Sequence, residues 1–356
     1  DSQTSLSVLP NFFILHPMNI TPISRTASYK LLGCRFLFNS KHLKGDHLMN
    51  KNNIWNYSES DDGVIERTVY IKAKKCGDPI RIAHLTDMHF NFCNEKDIKE
   101  NDPVLMSTYA NREWLKNGSS VENAKRSLKH AKDADAIVTT GDILDYLSFG
   151  CEDLAKEYVF KPYPDLIAAL GNHETARKVQ GIYAETMPYT EKEKWLKTFW
   201  PNDIHYSSHI ISERVMIIQM DNCSSGNGFR SEQIEKFNAD IEKARKNSYI
   251  ALLFFHIHIS PENEKYSDVK ADMIGDEAYS RVDLNRYGIK EKNGTASKEI
   301  CEIIRSSEDV IKGCFCGHMH SDFYCEIEAE NGKTIPQYIL MGTPYGKGHI
   351  LNIIIT

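Results

Sequence analysis

Five apolar runs, each ending in acidic, amide or imidazole groups, constrain this chain more than any other feature. They are "IRIAHLTDMH" (80–89), "ADAIVTTGDILD" (134–145), "DLIAALGNHE" (165–174), "YIALLFFHIH" (249–258) and "VIKGCFCGHMH" (310–320). Near-continuous apolar stretches of this length read as strands of a sheet covered on both faces. The crevice beyond the strand ends is where sites assemble in such folds. A lone histidine is more often a satisfied structural residue than a ligand. Five strands ending as D-x-H, G-D, G-N-H, H and G-H-x-H define a metal site instead.

The segments between the runs supply helices. "SEQIEKFNADIEKARK" puts Ile234, Phe237, Ile241 and Ala244 on one stripe, with Ser231 as expected N-cap. "SKEICEIIRS" repeats the pattern with Ile300, Ile303 and Ile304. Asn331-Gly332 between two β-like runs predicts a hairpin. The class is therefore α/β. Residues 1–60 read as an N-terminal extension whose role is not derivable, and 61–356 as the catalytic domain.

Composition narrows the functions. The chain has 356 residues, 41% hydrophobic and 26% charged, ordinary for a globular protein. A net charge of −6 provides no polybasic footprint, so no nucleic-acid polymer is expected as partner. No run approaches the ~20 apolar residues of a membrane span. Nine cysteines, an odd number without framework spacing, suggest free thiols in a reducing compartment, and the cytoplasm is expected. A chain starting at Asp1 leaves removal of a leader open. Oligomeric state is not legible.

The donor types suit a two-metal hydrolytic centre. Carboxylates, imidazoles and an amide carbonyl match Mn, Fe or Zn. Two ions need a bridging carboxylate, and Asp142 is the natural bridge because it follows Gly141, where the backbone can turn sharply. Asp87 with His89, and His318 with His320, each project two donors to one side of an alternating backbone. Cys314 and Cys316 lie within the strand before its end, where free cysteine behaves as a small buried hydrophobe.

"DMH", "GDILD", "GNHE", the His256 strand end and "GHMH" resemble the five motifs of calcineurin-like metallophosphoesterases, over about residues 80–350. "MIIQMDN" followed by the "EQIEKF" helix is similar to the segment that precedes the fourth motif. The resemblance implies a four-layer α/β/β/α sandwich of two mixed sheets flanked by helices. It implies one metal held by Asp87, His89, His320 and Asp142, and a second by Asp142, Asn172, His256 and His318. It further implies His173 as general acid with Asp145 orienting it, and a metal-bridging hydroxide attacking a small phosphate mono- or diester. Asn172, His173 and His258 are the expected substrate contacts.

Two departures from relatives matter. Protein Ser/Thr phosphatases carry arginine where Tyr146 stands, which removes a guanidinium clamp. Purple acid phosphatases carry a tyrosine ligand where Asp145 stands. A phosphodiesterase of cyclic nucleotides or nucleotide conjugates is the alternative reading. A protein phosphatase fits less well for want of that arginine, and a non-catalytic scaffold because every ligand position and His173 are present. His84 reads as structural, and so does His349 in preference to an approach to the site from the last strands; Asp221 and Asn222 read as outer hydrogen-bond partners. Segments 90–120 and 260–294 are expected to select substrate, with Arg230, Arg281 or Arg286 as candidate phosphate clamps.

Overall fold

The computed structural model describes residues 55–112, 120–176, 187–224, 226, 228–261, 284, 288–344 and 346–356. Most of the expected N-terminal extension, and most of the segment 260–294 with Arg281 and Arg286, therefore lie outside the described residues. Trp55 is buried in the core and Asn56–Glu59 form a paired strand, so 55–59 belong to the sheet rather than to an extension.

Among the described residues twelve strands make two six-stranded sheets. The first runs β1 (Asn56–Glu59), β2 (Val64–Ile71), β12 (Gly348–Ile355), β3 (Ile80–Leu85), β4 (Ala136–Thr139), β5 (Ile167–Ala168). The second runs β10 (Phe323–Glu328), β11 (Thr334–Ile339), β9 (Ile311–Cys316), β8 (Ile250–Phe254), β7 (Val215–Met220), β6 (Tyr206–Ile211). Both sheets are mixed. β3, β4 and β5 are parallel, as are β7, β8, β9 and β11, whereas β12 returns antiparallel to β3.

Three apolar layers hold four structural layers together. Ile82, Val138, Leu351 and Ile353 of the first sheet meet Ile217, Leu252, Phe254 and Phe315 of the second. On the outer side of the first sheet, Ala124, Leu128 and Ala131 of helix Ser120–Ala131 pack with Ala83 and Leu85. Helices Ser231–Asn247 and Thr295–Ser306 cover the second through Phe237, Ile241, Ala244, Ile300 and Ile304. The central strands β3, β4, β5, β8 and β9 are buried on both faces, which is why they read as unbroken apolar runs, whereas β1 is exposed.

Local expectations met physical exceptions. Arg230, not Ser231, is the N-cap of helix Ser231–Asn247; its amide donates to Gln233 Oε1 at 2.8 Å, so the side chain at N3 does the capping. β5 is two residues long, although the Ala169 amide after it still donates to Thr139 O at 2.9 Å before the chain reaches Gly171. Gly332 takes φ 77° in the hairpin turn between β10 and β11, as Asn-Gly predicts. Among the described residues no helix is long and apolar enough to cross a membrane.

Candidate metal centre

The strand-end turns meet because the β3 end rides on the β4 end. Asp87 N donates to Gly141 O at 2.9 Å, His89 N to Asp142 O at 2.8 Å and Phe90 N to Ile143 O at 2.8 Å. From the second sheet, His256 Nδ1 lies 2.6 Å from Thr140 O, and the His318 amide donates to Asp87 Oδ2 at 3.0 Å. Glycines permit these approaches. A Cβ on Gly171 would collide with Asp142 Oδ1, and one on Gly317 with Thr86 Oγ1 and Asp87 Oδ2.

Backbone strain concentrates at the same place. Asp87, His89, Asp142, His318 and His320 take φ of 49°, 50°, 52°, 73° and 49°. Left-handed backbone costs a non-glycine residue about 1–2 kcal/mol, so it persists where the surroundings over-determine it. These donors are five of the nine such residues among the described ones, a concentration that marks a site.

Two of the three donor groups among the described residues share Asp142, the third being His89, Asp145 and His173. Asp87, His89, Asp142 and His320 make one, and Asp142, His256 and His318 the other, with donor atoms in each within 4.8 Å of one another. Asp142 belongs to both. His89 Nε2 is 2.9 Å from His320 Nε2, and His320 Nε2 is 3.2 Å from Asp87 Oδ1. His256 Nε2 lies 3.2 Å from Asp142 Oδ2 and 3.1 Å from Asn172 Oδ1. Every ligand position expected from the motifs is thus brought into one cluster.

Its electrostatics call for cations. Burial opposes ionisation of Asp87, yet hydrogen bonds from His320 and His89 hold it well below the usual carboxylate range. Burial likewise opposes charge on Asp142, but His256 and His173 pull its carboxyl down. Burial alone would lower the imidazoles of His89 and His256; the carboxylates of Asp145 and Asp87 instead raise His89 to about 10, and Asp142 raises His256 to about 9. His318 goes the other way, pushed down to about 3 by burial and by His256. Buried carboxylate oxygens thus stand beside two imidazole nitrogens 2.9 Å apart, a set of oxygen and nitrogen donors. The arrangement fits divalent or trivalent ions bound by oxygen and nitrogen.

A second ring of residues braces the donors. Asp145 Oδ1 accepts from His89 Nδ1 at 2.9 Å, and lies 3.4 Å from His173 Nδ1. The stronger contact of His173 is with the Asp145 backbone, Nδ1 to carbonyl oxygen at 2.8 Å. Arg112 grips the Asp145 carboxylate through both Nε and Nη2, and Asn91 Nδ2 donates to its Oδ2 at 3.0 Å. Glu174 ties the β4 and β5 turns together. Its oxygens accept from the amides of Asp142 (2.9 Å), Leu144 (2.9 Å) and Gly171 (2.6 Å). Glu174 was legible as the last letter of G-N-H-E and Asn91 as an amide two beyond His89. Nothing in the sequence marks Arg112.

His258 is not among the clustered donors; it is buried, with Nε2 2.9 Å from Leu284 O. His84 is structural: it bonds Thr140 Oγ1 at 2.9 Å, and its ring packs edge-on against Phe254 and Phe315. His349 points between the sheets at Arg67 rather than into the donor groups. Asn222 brackets Ile257, donating to its carbonyl (2.6 Å) and accepting from its amide (3.1 Å), which pins the turn carrying His256. Arg230 is engaged by Ser224 at 3.1 Å. Tyr146 turns into the core and donates to Asn91 Oδ1 at 3.1 Å. Cys314, Cys316 and Cys325 are buried free thiols, pushed up in pKa by that burial.

Two sheets, helices on both outer faces and a histidine–aspartate cluster at converging strand ends define a metallophosphoesterase architecture. Residues 80–322 match the family described as calcineurin-like phosphoesterase, and the chain belongs to that family. No curated protein matches the chain. Among solved structures it is similar to a dimetal phosphatase from Danio rerio, at 12% identity and TM-score 0.46, covering 76% of this chain and 91% of that one. It is also similar to purple acid phosphatase PPD1 from yellow lupin seeds, at 13% identity and TM-score 0.45, covering 74% of this chain and 44% of that one.

Proposed function

We propose that this family member is a binuclear, metal-dependent hydrolase of small phosphate mono- or diesters. The observation that carries the reading is Asp142, whose carboxylate is shared by both donor groups while His173 Nε2 stands 3.8 Å from its Oδ2. Asp87, His89, His320 and Asp142 would hold one ion, and Asp142, Asn172, His256 and His318 the other, with Mn, Fe or Zn suited to these donors. When bound, such ions supply charge against the phosphoryl oxygens and acidify water toward neutral pH.

The chain's own groups do the rest. His173 is the general acid. Its Nδ1 faces the Asp145 carbonyl, which can only accept, so Nε2 is the atom left to pass a proton to the leaving oxygen. Its backbone amide donates to Asp142 Oδ1 at 2.9 Å, tying the acid to the bridging carboxylate. Asn172 carries a neutral oxygen beside a substrate already rich in negative charge. Its amide adds a donor for phosphate without adding charge.

The test is a metal-supplemented assay on p-nitrophenyl phosphate and its bis ester, run beside elemental analysis. Asp142→Asn should lose bound metal and fall on the order of 10³-fold or more in turnover, because several kcal/mol of charge stabilisation goes with it. Full metal content in that variant, or inactivity of the wild type on both esters, refutes the proposal.

A further inference from the structure

Arg112 belongs to none of the five motifs, yet it is buried against the carboxylate nearest the cluster. Helix Pro103–Asn111 delivers it. Asp102 caps that helix by accepting from the amides of Val104 (2.9 Å) and Leu105 (3.2 Å), and Val104, Leu105 and Thr108 bury its inner face. Arg112 follows at the C-cap, its amide donating to Thr108 O at 3.0 Å. The helix end is therefore a fixed platform, and the guanidinium leaves it toward Asp145.

The contact is two-pronged. Nη2 donates to Asp145 Oδ1 at 2.6 Å and Nε to Oδ2, so the planar guanidinium lies along the carboxylate edge and fixes its plane. Asn91 adds a third donor at 3.0 Å, and its own Nδ2 also reaches Arg112 O at 3.2 Å, so the three residues form one closed group. With the carboxylate plane set, Oδ1 sits where His89 Nδ1–H donates to it. The far nitrogen of the ring, Nε2, then faces His320 Nε2 (2.9 Å), Asp87 Oδ1 (3.6 Å) and Asp142 Oδ2 (3.7 Å). The ring of His173 packs edge-on against that of His89, with centroids 4.5 Å apart, so one imidazole cannot rotate without disturbing the other.

We infer that Arg112 is a positioning residue of the centre: by clamping Asp145 it sets the ring orientation and tautomer of His89 and, through the packed rings, of His173. The inference rests on the proposed function, since it assigns Arg112 to the brace behind that metal centre. Partners of this kind set ligand orientation, and removing them typically weakens metal binding by roughly 10–100-fold.

The experiment measures zinc affinity by chelator competition, together with kcat and KM on p-nitrophenyl phosphate, for wild type, Arg112→Ala and Arg112→Lys. Arg112→Ala should bind zinc about 10–100-fold more weakly and lose kcat by a similar factor with KM nearly unchanged. Added guanidinium should restore part of both. Arg112→Lys keeps the charge but cannot span both oxygens, so it should fall between the two and settle the matter if the alanine variant does not fold. Unaltered zinc affinity in a folded variant overturns the inference, as does a rise confined to KM, which would make Arg112 a substrate contact. A loss that guanidinium leaves untouched, with a lowered melting temperature, marks a merely structural role and overturns it too. A wild-type chain that fails to bind two zinc ions fails the proposed function first and takes this inference with it.

Discussion

Two buried groups of the same three residue types sit in this molecule, and they behave in opposite ways. Beside the proposed metal centre, Arg112 grips Asp145 and Asp145 touches His89. Between the sheets, Arg67 grips Asp322, but here it is the arginine that touches the imidazole, with Nη1 3.2 Å from His349 Nδ1. The order of contact decides the charge. Against burial, which would lower it, the carboxylate side raises His89 to about 10. Burial and then the Arg67 cation push His349 down to about 3. One group thus favours positive charge on its ring, whereas the other keeps its ring neutral on the face of β12 that carries Leu351 and Ile353. Composition alone does not make a site; the sequence of contacts does.

The sharpest test of the first group is His173→Ala. If Asp145 positions both imidazoles, this change should lower kcat by about 10²–10⁴-fold while metal content survives, because only the proton donor is lost. Unchanged turnover with normal metal content would remove His173 from the mechanism.

The second group should answer in stability rather than chemistry. Asp322 also accepts the Met341 amide at 2.9 Å, so Arg67→Met leaves a buried carboxylate without its cation. Breaking a buried pair in this way costs about 3–5 kcal/mol. Chemical denaturation should show a loss of that order, with kcat of the folded fraction close to wild type. A stability change below about 1 kcal/mol would mean that the two groups are not distinguished as described.

His349 gives the contrast a pH signature. In the unfolded chain its imidazole takes a proton near pH 6.5, whereas in the folded chain it resists until about pH 3. Between those values the unfolded state binds more protons, so stability falls as pH falls, by up to about 1.4 kcal/mol per pH unit. Replacing it as His349→Gln should flatten the stability curve between pH 6 and 4. An unchanged slope would show that the ring is already charged in the fold.

The smallest effect is expected at the cysteines. Cys314→Ala and Cys316→Ala, in the strand that carries His318 and His320, should leave metal content intact and cost about 1 kcal/mol each as small core cavities. Loss of a metal equivalent in either would return the thiols to the ligand set.

Much of the site was legible because its members end strands. Asp87, Asp142, Asn172, His256, His318 and His320 each follow an apolar run, and parallel strands bring their C-terminal ends to one place whatever lies between. His173 and Glu174 travel with Asn172 in the same turn. His258, two residues past His256, has different neighbours: Asn222 holds the chain at Ile257, and His258 Nε2 lies against Leu284 O. His349 lies away from the donor groups, as its structural reading has it. It lies on β12, whose alternation carries it to the layer between the sheets.

Strand-end chemistry, helix stripes and the free state of the thiols follow from local pattern, because alternation, periodicity and glycine turns act over a few residues. Arg112 on Asp145, Arg67 on Asp322, and which imidazole faces a carboxylate or a cation are separations of 33, 255 and 282 positions closed only by packing. Electrostatic contacts act through space over a few ångströms, so no local pattern encodes them, and tertiary structure alone decided which of this protein's histidines lies against a carboxylate and which against a guanidinium.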